Sequence, residues 1–82
     1  MAWHPHRVEF GERLRQLRQE RDWSQESFAH HVGLDRTYIS GLERGRRNPT
    51  LDVIVKLAEA LQVEPAELMR WGGASEMGKE RE

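Results

Sequence analysis

The sequence predicts an all-α domain of five short helices, and three observations carry that prediction. Apolar residues recur at spacings of three and four, capping residues bracket each recurrence, and no stretch alternates apolar with polar residues as a half-buried strand does. Phe10, Leu14 and Leu17 stand at i, i+4 and i+7, giving the first helix one apolar stripe from about Glu9 to Arg21. Ser24 is a good N-cap for the second, and Trp23 before it pairs with Phe28 at the fourth helical position in the spacing of a hydrophobic staple. Gly33 closes that helix after Val32, because glycine takes the left-handed conformation that ends helices. Asp35 caps a third helix running to about Arg44, with Gly45 just past its end. Thr50 caps a fourth, whose Leu51, Ile54, Leu57, Ala58 and Leu61 form the core stripe. Pro65 at the first position and Glu67 two residues on mark a fifth, to about Trp71.

At 82 residues this is one small domain, near the size at which a single core is marginal, so self-association is an available source of stability. Residues 1–7 are expected to be a flexible N-terminus, 8–71 the folded domain, and 72–82, "GGASEMGKERE", a disordered tail. The absence of cysteine excludes disulfides and thiolate metal sites and suits a reducing compartment. No apolar run nears the roughly 18 residues of a membrane span, and "MAWHPHRVEF" lacks the apolar core of a signal peptide. A cytoplasmic protein is expected. The histidines, "HPH" at 4–6 and "HH" at 30–31, lack the i, i+4 spacing and acidic companions of a metal site. No nucleophile stands beside a base and no glycine-rich phosphate loop occurs, so no enzyme, no cofactor and no small-molecule ligand is expected.

The second and third helices are joined only by "GLD", which forces them to cross steeply. Counting from Gln25 as one, Ala29 falls at five, Gly33 at nine, Ile39 at fifteen and Leu42 at eighteen, the spacing of a helix-turn-helix. Ala29 permits close approach, Gly33 the turn, and Ile39 with Leu42 anchor the third helix. At about 100° per residue the side opposite that anchor collects Thr37, Ser40, Gly41 and Arg44, with Arg36 in the exposed first turn. Such a slim polar face, with a long planar donor near its start, is what a helix entering a DNA major groove requires. Arg36 there opposes the helix dipole, a position better explained by contact with a base than by stability; a bidentate pair with guanine is worth roughly 1–3 kcal/mol of discrimination.

Charge supports this partner by its distribution. The net charge is only −1, yet residues 36–50 carry four arginines against one glutamate and 1–21 carry five against three, while 22–35 and 51–82 are each at −3. Local field, more than total charge, guides an anionic ligand.

The segment "SQESFAHHVGLDRTYISGLERGRRNPTL" resembles the lambda repressor and Cro class of DNA-binding domains, the XRE type, over about residues 8–71. More narrowly, "GLDRTYISGLERGRRN" is similar to the controller proteins of bacterial restriction-modification systems, small dimeric transcriptional regulators. The resemblance implies a five-helix lambda-repressor-like fold with its helix-turn-helix at helices 2 and 3, binding double-stranded DNA. It implies that Arg36, Thr37 and Ser40 face bases and that Gln25 binds a backbone phosphate. Tyr38 would lie beside the backbone or a base step, and Arg44, Arg46, Arg47 and Asn48 would grip phosphate or the neighbouring groove. Gly41 departs from relatives with a longer side chain there, so the groove is expected to be read less fully at that base. Arg18 and Glu43 occupy the positions of the family's structural ion pair between first and third helices. Arg7, Arg13, Arg15 and Arg21 are expected on a solvated face.

Val63, Leu68, Met69 and Trp71 offer more apolar surface than a domain of this size buries alone. Leu68 is expected in the core, and Val63, Met69 and Trp71 in the interface of a two-fold homodimer, which would bind a pseudo-palindromic operator. The alternative reading of the same 61–71 stretch is an antitoxin or adaptor, a protein-interaction module built on the same bundle.

Overall fold

Proline decides where the chain first becomes helical. In the computed structural model, which describes residues 4–71, α1 spans Pro5–Glu20, with Pro5 in its first turn. There a fixed φ suits the helix and a missing N–H forfeits nothing. The helix therefore begins four residues before the expected Glu9, and residues 5–7, assigned to a flexible N-terminus, belong to it. Apolar periodicity starts only at Phe10 and is blind to a polar first turn. The expected tail at 72–82 lies outside the described residues.

The other helices are α2 (Gln25–Val32), α3 (Arg36–Glu43), α4 (Leu51–Leu61) and α5 (Pro65–Leu68). Ser24 Oγ accepts from the Ser27 N–H at 3.0 Å and Thr50 Oγ1 from Val53 N–H at 3.2 Å, so both expected caps form. Asp35 holds the extended backbone of an N-cap without a side-chain bond to the helix. Trp23 packs on Phe28 with ring centroids 6.3 Å apart, which fixes the entry angle of α2. α5 stops at Leu68 rather than near Trp71. Met69 and Arg70 bond back only three residues, to Ala66 and Glu67, and this tighter turn ends the helix.

Phe10, Leu14 and Leu17 of α1, Phe28, Ala29 and Val32 of α2, Ile39 and Leu42 of α3, Leu57, Ala58 and Leu61 of α4, and Leu68 form one buried core. Each fully buried Leu or Ile contributes about 1.5–3 kcal/mol. Leu51, expected in the α4 stripe, is 74% exposed. Its angle on the helix is right, but it sits in the first turn, where no element among the described residues covers it.

α1 meets the end of α3 at Gly11. A Cβ there would collide with the Leu42 carbonyl oxygen and stand 2.6 Å from that of Glu43. The two helices touch backbone to backbone at this point, and the absent side chain makes room for it. Gly11→Ala is accordingly expected to lower stability by about 2–3 kcal/mol in urea denaturation. Helix propensity alone predicts the opposite sign, a gain of about 0.5–1 kcal/mol.

Candidate nucleic-acid interface

The third helix is held by its inner edge. Ile39 and Leu42 are fully buried, and Glu43 beside them is buried with Arg18 in a bidentate pair, Nε to Oε2 at 2.6 Å and Nη2 to Oε1 at 3.0 Å. Arg18 Nη1 also donates to the Trp23 carbonyl at 2.6 Å, and Gln25 Nε2 donates to Glu43 Oε1 at 3.0 Å. One carboxylate thus ties α1 and the first residue of α2 to the last residue of α3. The contact expected from the resemblance between Arg18 and Glu43 is present, and Gln25 joins it.

The opposite edge of the helix faces outward. Arg36 and Thr37 are exposed, and Ser40 is half-buried at the edge. Beyond the helix, Arg44, Arg46, Arg47 and Asn48 are all exposed. Among the described residues none of Arg36, Arg44, Arg46 and Arg47 enters an ion pair. Their charge is available to an anion.

Of the arginines expected on a solvated face, Arg15 and Arg21 are exposed, whereas Arg7 and Arg13 are half-buried. Arg13 donates to the Glu67 carbonyl at 2.8 Å and to its carboxylate at 2.9 Å, joining α1 to α5. Arg21 donates to the Leu61 carbonyl at 2.7 Å and the Leu17 carbonyl at 3.1 Å, covering the end of α4. Arg7 is half-buried, with its Nε enclosed. Only Arg15 among these four is exposed and unpaired among the described residues. The excess of arginine in residues 1–21 is consumed mostly by internal bonds, which leaves 36–47 as the basic surface.

Two sequence expectations need adjusting at the site. Gly41 lies on the outward side of the helical wheel, yet it is buried, because the Arg47 side chain covers it. Arg47 Cζ stands 5.4 Å from the Tyr38 ring centroid, so the arginine lies back along α3 and shields both residues. Gln25, expected at a phosphate, has one amide hydrogen engaged by Glu43; its second N–H has no hydrogen-bond partner among the described residues. The interface candidates do not form one patch. Met69, 46% exposed, and half-buried Trp71 edge an apolar depression of about 110 Å³ with Phe10 and Ile54. Val63 lies instead beside Arg13, Arg21 and Glu67.

With this geometry in hand, comparison with known proteins decides the family. The helix-turn-helix family model (HTH_3) matches residues 14–68. The chain belongs to this family. The control protein C.BamHI of Bacillus amyloliquefaciens is 47% identical over 64 residues, 77% of this chain and 79% of its own. The crystal structure of the restriction-modification controller protein C.AhdI from Aeromonas hydrophila superimposes with a TM-score of 0.77 at 52% identity, over 79% of this chain and 98% of that one. SinR, the master regulator for biofilm formation, matches in its complex with DNA with a TM-score of 0.71 at 29% identity, over 74% of this chain and 98% of that one. As a helix-turn-helix chain it falls in a class of regulators and not of enzymes, and no helix among the described residues is long and apolar enough to cross a membrane.

Sequence reasoning missed Gly11, the bonds of Arg13 to Glu67 and of Arg21 to the Leu61 carbonyl, and the cover that Arg47 lays over Gly41. A lone glycine inside a helical pattern was the available signal for the first, since it is tolerated only where something requires it. The Arg18–Glu43 pair lends itself to a direct test. Arg18→Met alone is expected to cost about 3–5 kcal/mol in chemical denaturation by leaving Glu43 buried and unpaired, and Arg18→Met with Glu43→Leu to recover most of that loss.

Proposed function

We infer that this chain is a sequence-specific DNA-binding regulator of transcription, of the kind that controls a restriction-modification system. The single observation that carries the reading is the division of α3: an apolar and ion-paired edge locked into the bundle, and a guanidinium-and-hydroxyl edge turned to solvent beside a run of unpaired arginines. A helix presented in this way enters the major groove, where Arg36, Thr37 and Ser40 reach base edges. Arg44, Arg46, Arg47 and Asn48 take phosphates or the adjoining groove, with Tyr38 beside them, and the remaining N–H of Gln25 takes another phosphate. Likeness to C.BamHI and C.AhdI supports the narrower assignment to restriction-modification control. The work is done where bacterial DNA is, in the cytoplasm.

The regulator acts as a homodimer on a pseudo-palindromic operator, its two reading helices about 34 Å apart, one turn of DNA. Leu51 and Met69, the large exposed hydrophobics among the described residues, and the depression edged by Met69 and Trp71 support this part of the reading. Val63, set apart from that depression, is a secondary candidate. The adaptor or antitoxin reading loses its motive, since Leu61 and Leu68 of the 61–71 stretch are spent in the chain's own core.

Selection from a random duplex library tests the function. Enrichment of one inverted half-site is expected; weak binding with no enriched sequence would overturn the assignment. Arg36→Ala is expected to relax preference at one base pair of that half-site, by about 1–3 kcal/mol of discrimination, and to leave the others unchanged. Arg47→Ala is expected to weaken all sequences alike and to reduce the slope of log affinity against log salt by about one. In sedimentation equilibrium the protein is expected at twice the chain mass, and Met69→Glu, at a residue 46% exposed, at the monomer mass.

A further inference from the structure

The packing of Arg47 against α3 gives Gly41 a task. α3 ends at Glu43, and Gly45 beyond it adopts a φ of +74°. The Arg46 N–H then bonds back to the Gly41 carbonyl at 2.8 Å, and Gly45 N–H to Leu42 at 3.1 Å. These two bonds reverse the chain over the last turn of the helix, and residue 47 arrives above residue 41. A Cβ on Gly41 would stand 2.8 Å from Arg47 Cγ, 3.4 Å from Nε and 3.7 Å from Cδ, so the methylene stem of the arginine occupies the place a side chain would take. Beyond that seat the guanidinium reaches the Tyr38 ring, three residues earlier on the same helix.

We propose that Gly41 is a positioning residue for DNA binding: its missing side chain is the seat that holds Arg47 against α3, with its guanidinium over Tyr38 and ready for the duplex. The proposal rests on the function assigned above and goes beyond it. A glycine on the outward side of α3 looks, from the sequence, like a base left unread; here it is the slot for a phosphate-binding arginine supplied by the following loop. An arginine already laid along the helix loses less side-chain freedom on binding than one free in solvent.

The test is a double-mutant cycle on the half-site duplex recovered by the wild-type selection. Gly41→Ala is expected to weaken binding about tenfold and to lower the salt slope as Arg47→Ala does, while Gly41→Ala in the Arg47→Ala background costs no more than about twofold further. The thermal midpoint of Gly41→Ala should not fall, because the group displaced is an exposed side chain and alanine favours the helix. In the free wild-type protein, NOEs between Gly41 Hα and the Arg47 Hγ protons are expected. Their absence overturns the proposal. So does an equal cost of Gly41→Ala in both backgrounds, or a loss confined to one base pair with the salt slope intact, either of which places the methyl directly against DNA. If Gly41→Ala alone fails to fold, the variant that also carries Arg47→Ala must fold, since the obstruction is then gone; a double variant that stays unfolded overturns the proposal. Wild-type protein that enriches no site overturns the function and this inference together, whereas an enriched site bound equally well by Gly41→Ala sinks the inference alone.

Discussion

Everything the reading helix can do depends on the junction between α1 and the end of α3. Gly11 lets the backbones touch there, and Arg18 holds Glu43 with two hydrogen bonds at the same place. Steric fit and charge thus fix one contact in two independent ways. A buried ion pair adds little net stability over a well-packed apolar pair, because desolvation consumes most of the attraction. Its geometry is the greater contribution. A fork on a carboxylate tolerates little rotation, and with Arg18 also bound to the Trp23 carbonyl and Glu43 to Gln25, the two helices of the motif and the turn before them share one anchor. Groove reading needs side chains held to a fraction of an ångström, and such placement comes from rigid elements with second contacts behind them.

The same economy governs charge. With a net charge of −1 the chain has no general attraction for a polyanion, and a sum over residues 1–21 suggests a basic stretch of which the folded protein exposes only Arg15 and Arg21. Arg13, Arg18 and Arg21 spend their donors on carbonyls and carboxylates within the domain. Among the described residues, those of 36–47 do not. The effective field is therefore narrower than the sequence sum and is centred on α3 and the loop after it. In sequence the acidic residues are concentrated in 22–35 and 51–82, on either side of this basic segment.

What was legible in the sequence is what depends on neighbours along the chain. The caps at Ser24 and Thr50, the staple of Trp23 on Phe28, the turns at Gly33 and Gly45, and the helix-turn-helix spacing all involve residues a few positions apart, and each formed as expected. The Arg18–Glu43 pair, far apart in sequence, came only from resemblance. Leu51 shows why the rest was hidden: periodicity gives the direction of a side chain, whereas burial needs something opposite. Arg13, Arg21 and Gly11 make the same point from the other side, since each has a partner 31 or more residues away, in an element whose position no local pattern specifies. Gly41 was misjudged because the wheel describes one helix and the covering residue belongs to the loop beyond it.

That loop owes its course to Gly45. α1, α2, α3 and α4 each end in a left-handed residue, with paired bonds returning to the last turn, yet two of these residues are Asp22 and Gln62, not glycine. The left-handed conformation costs an ordinary residue about 1–2 kcal/mol, a penalty the fold evidently absorbs twice. Conformation alone therefore does not demand glycine at the other two. At Gly33 nothing lies within 4 Å of a Cβ position, so there the glycine relieves backbone strain only. At Gly45 a Cβ would stand 2.9 Å from Val8 Cγ2 and 3.0 Å from Val8 Cα, so the position is closed sterically as well. The start of α1 packs against the reversal that sends Arg46 and Arg47 back over α3, and a side chain at 45 would push the two apart. The first turns of α1, mostly polar in sequence, are in this way part of what sets the course of the basic loop.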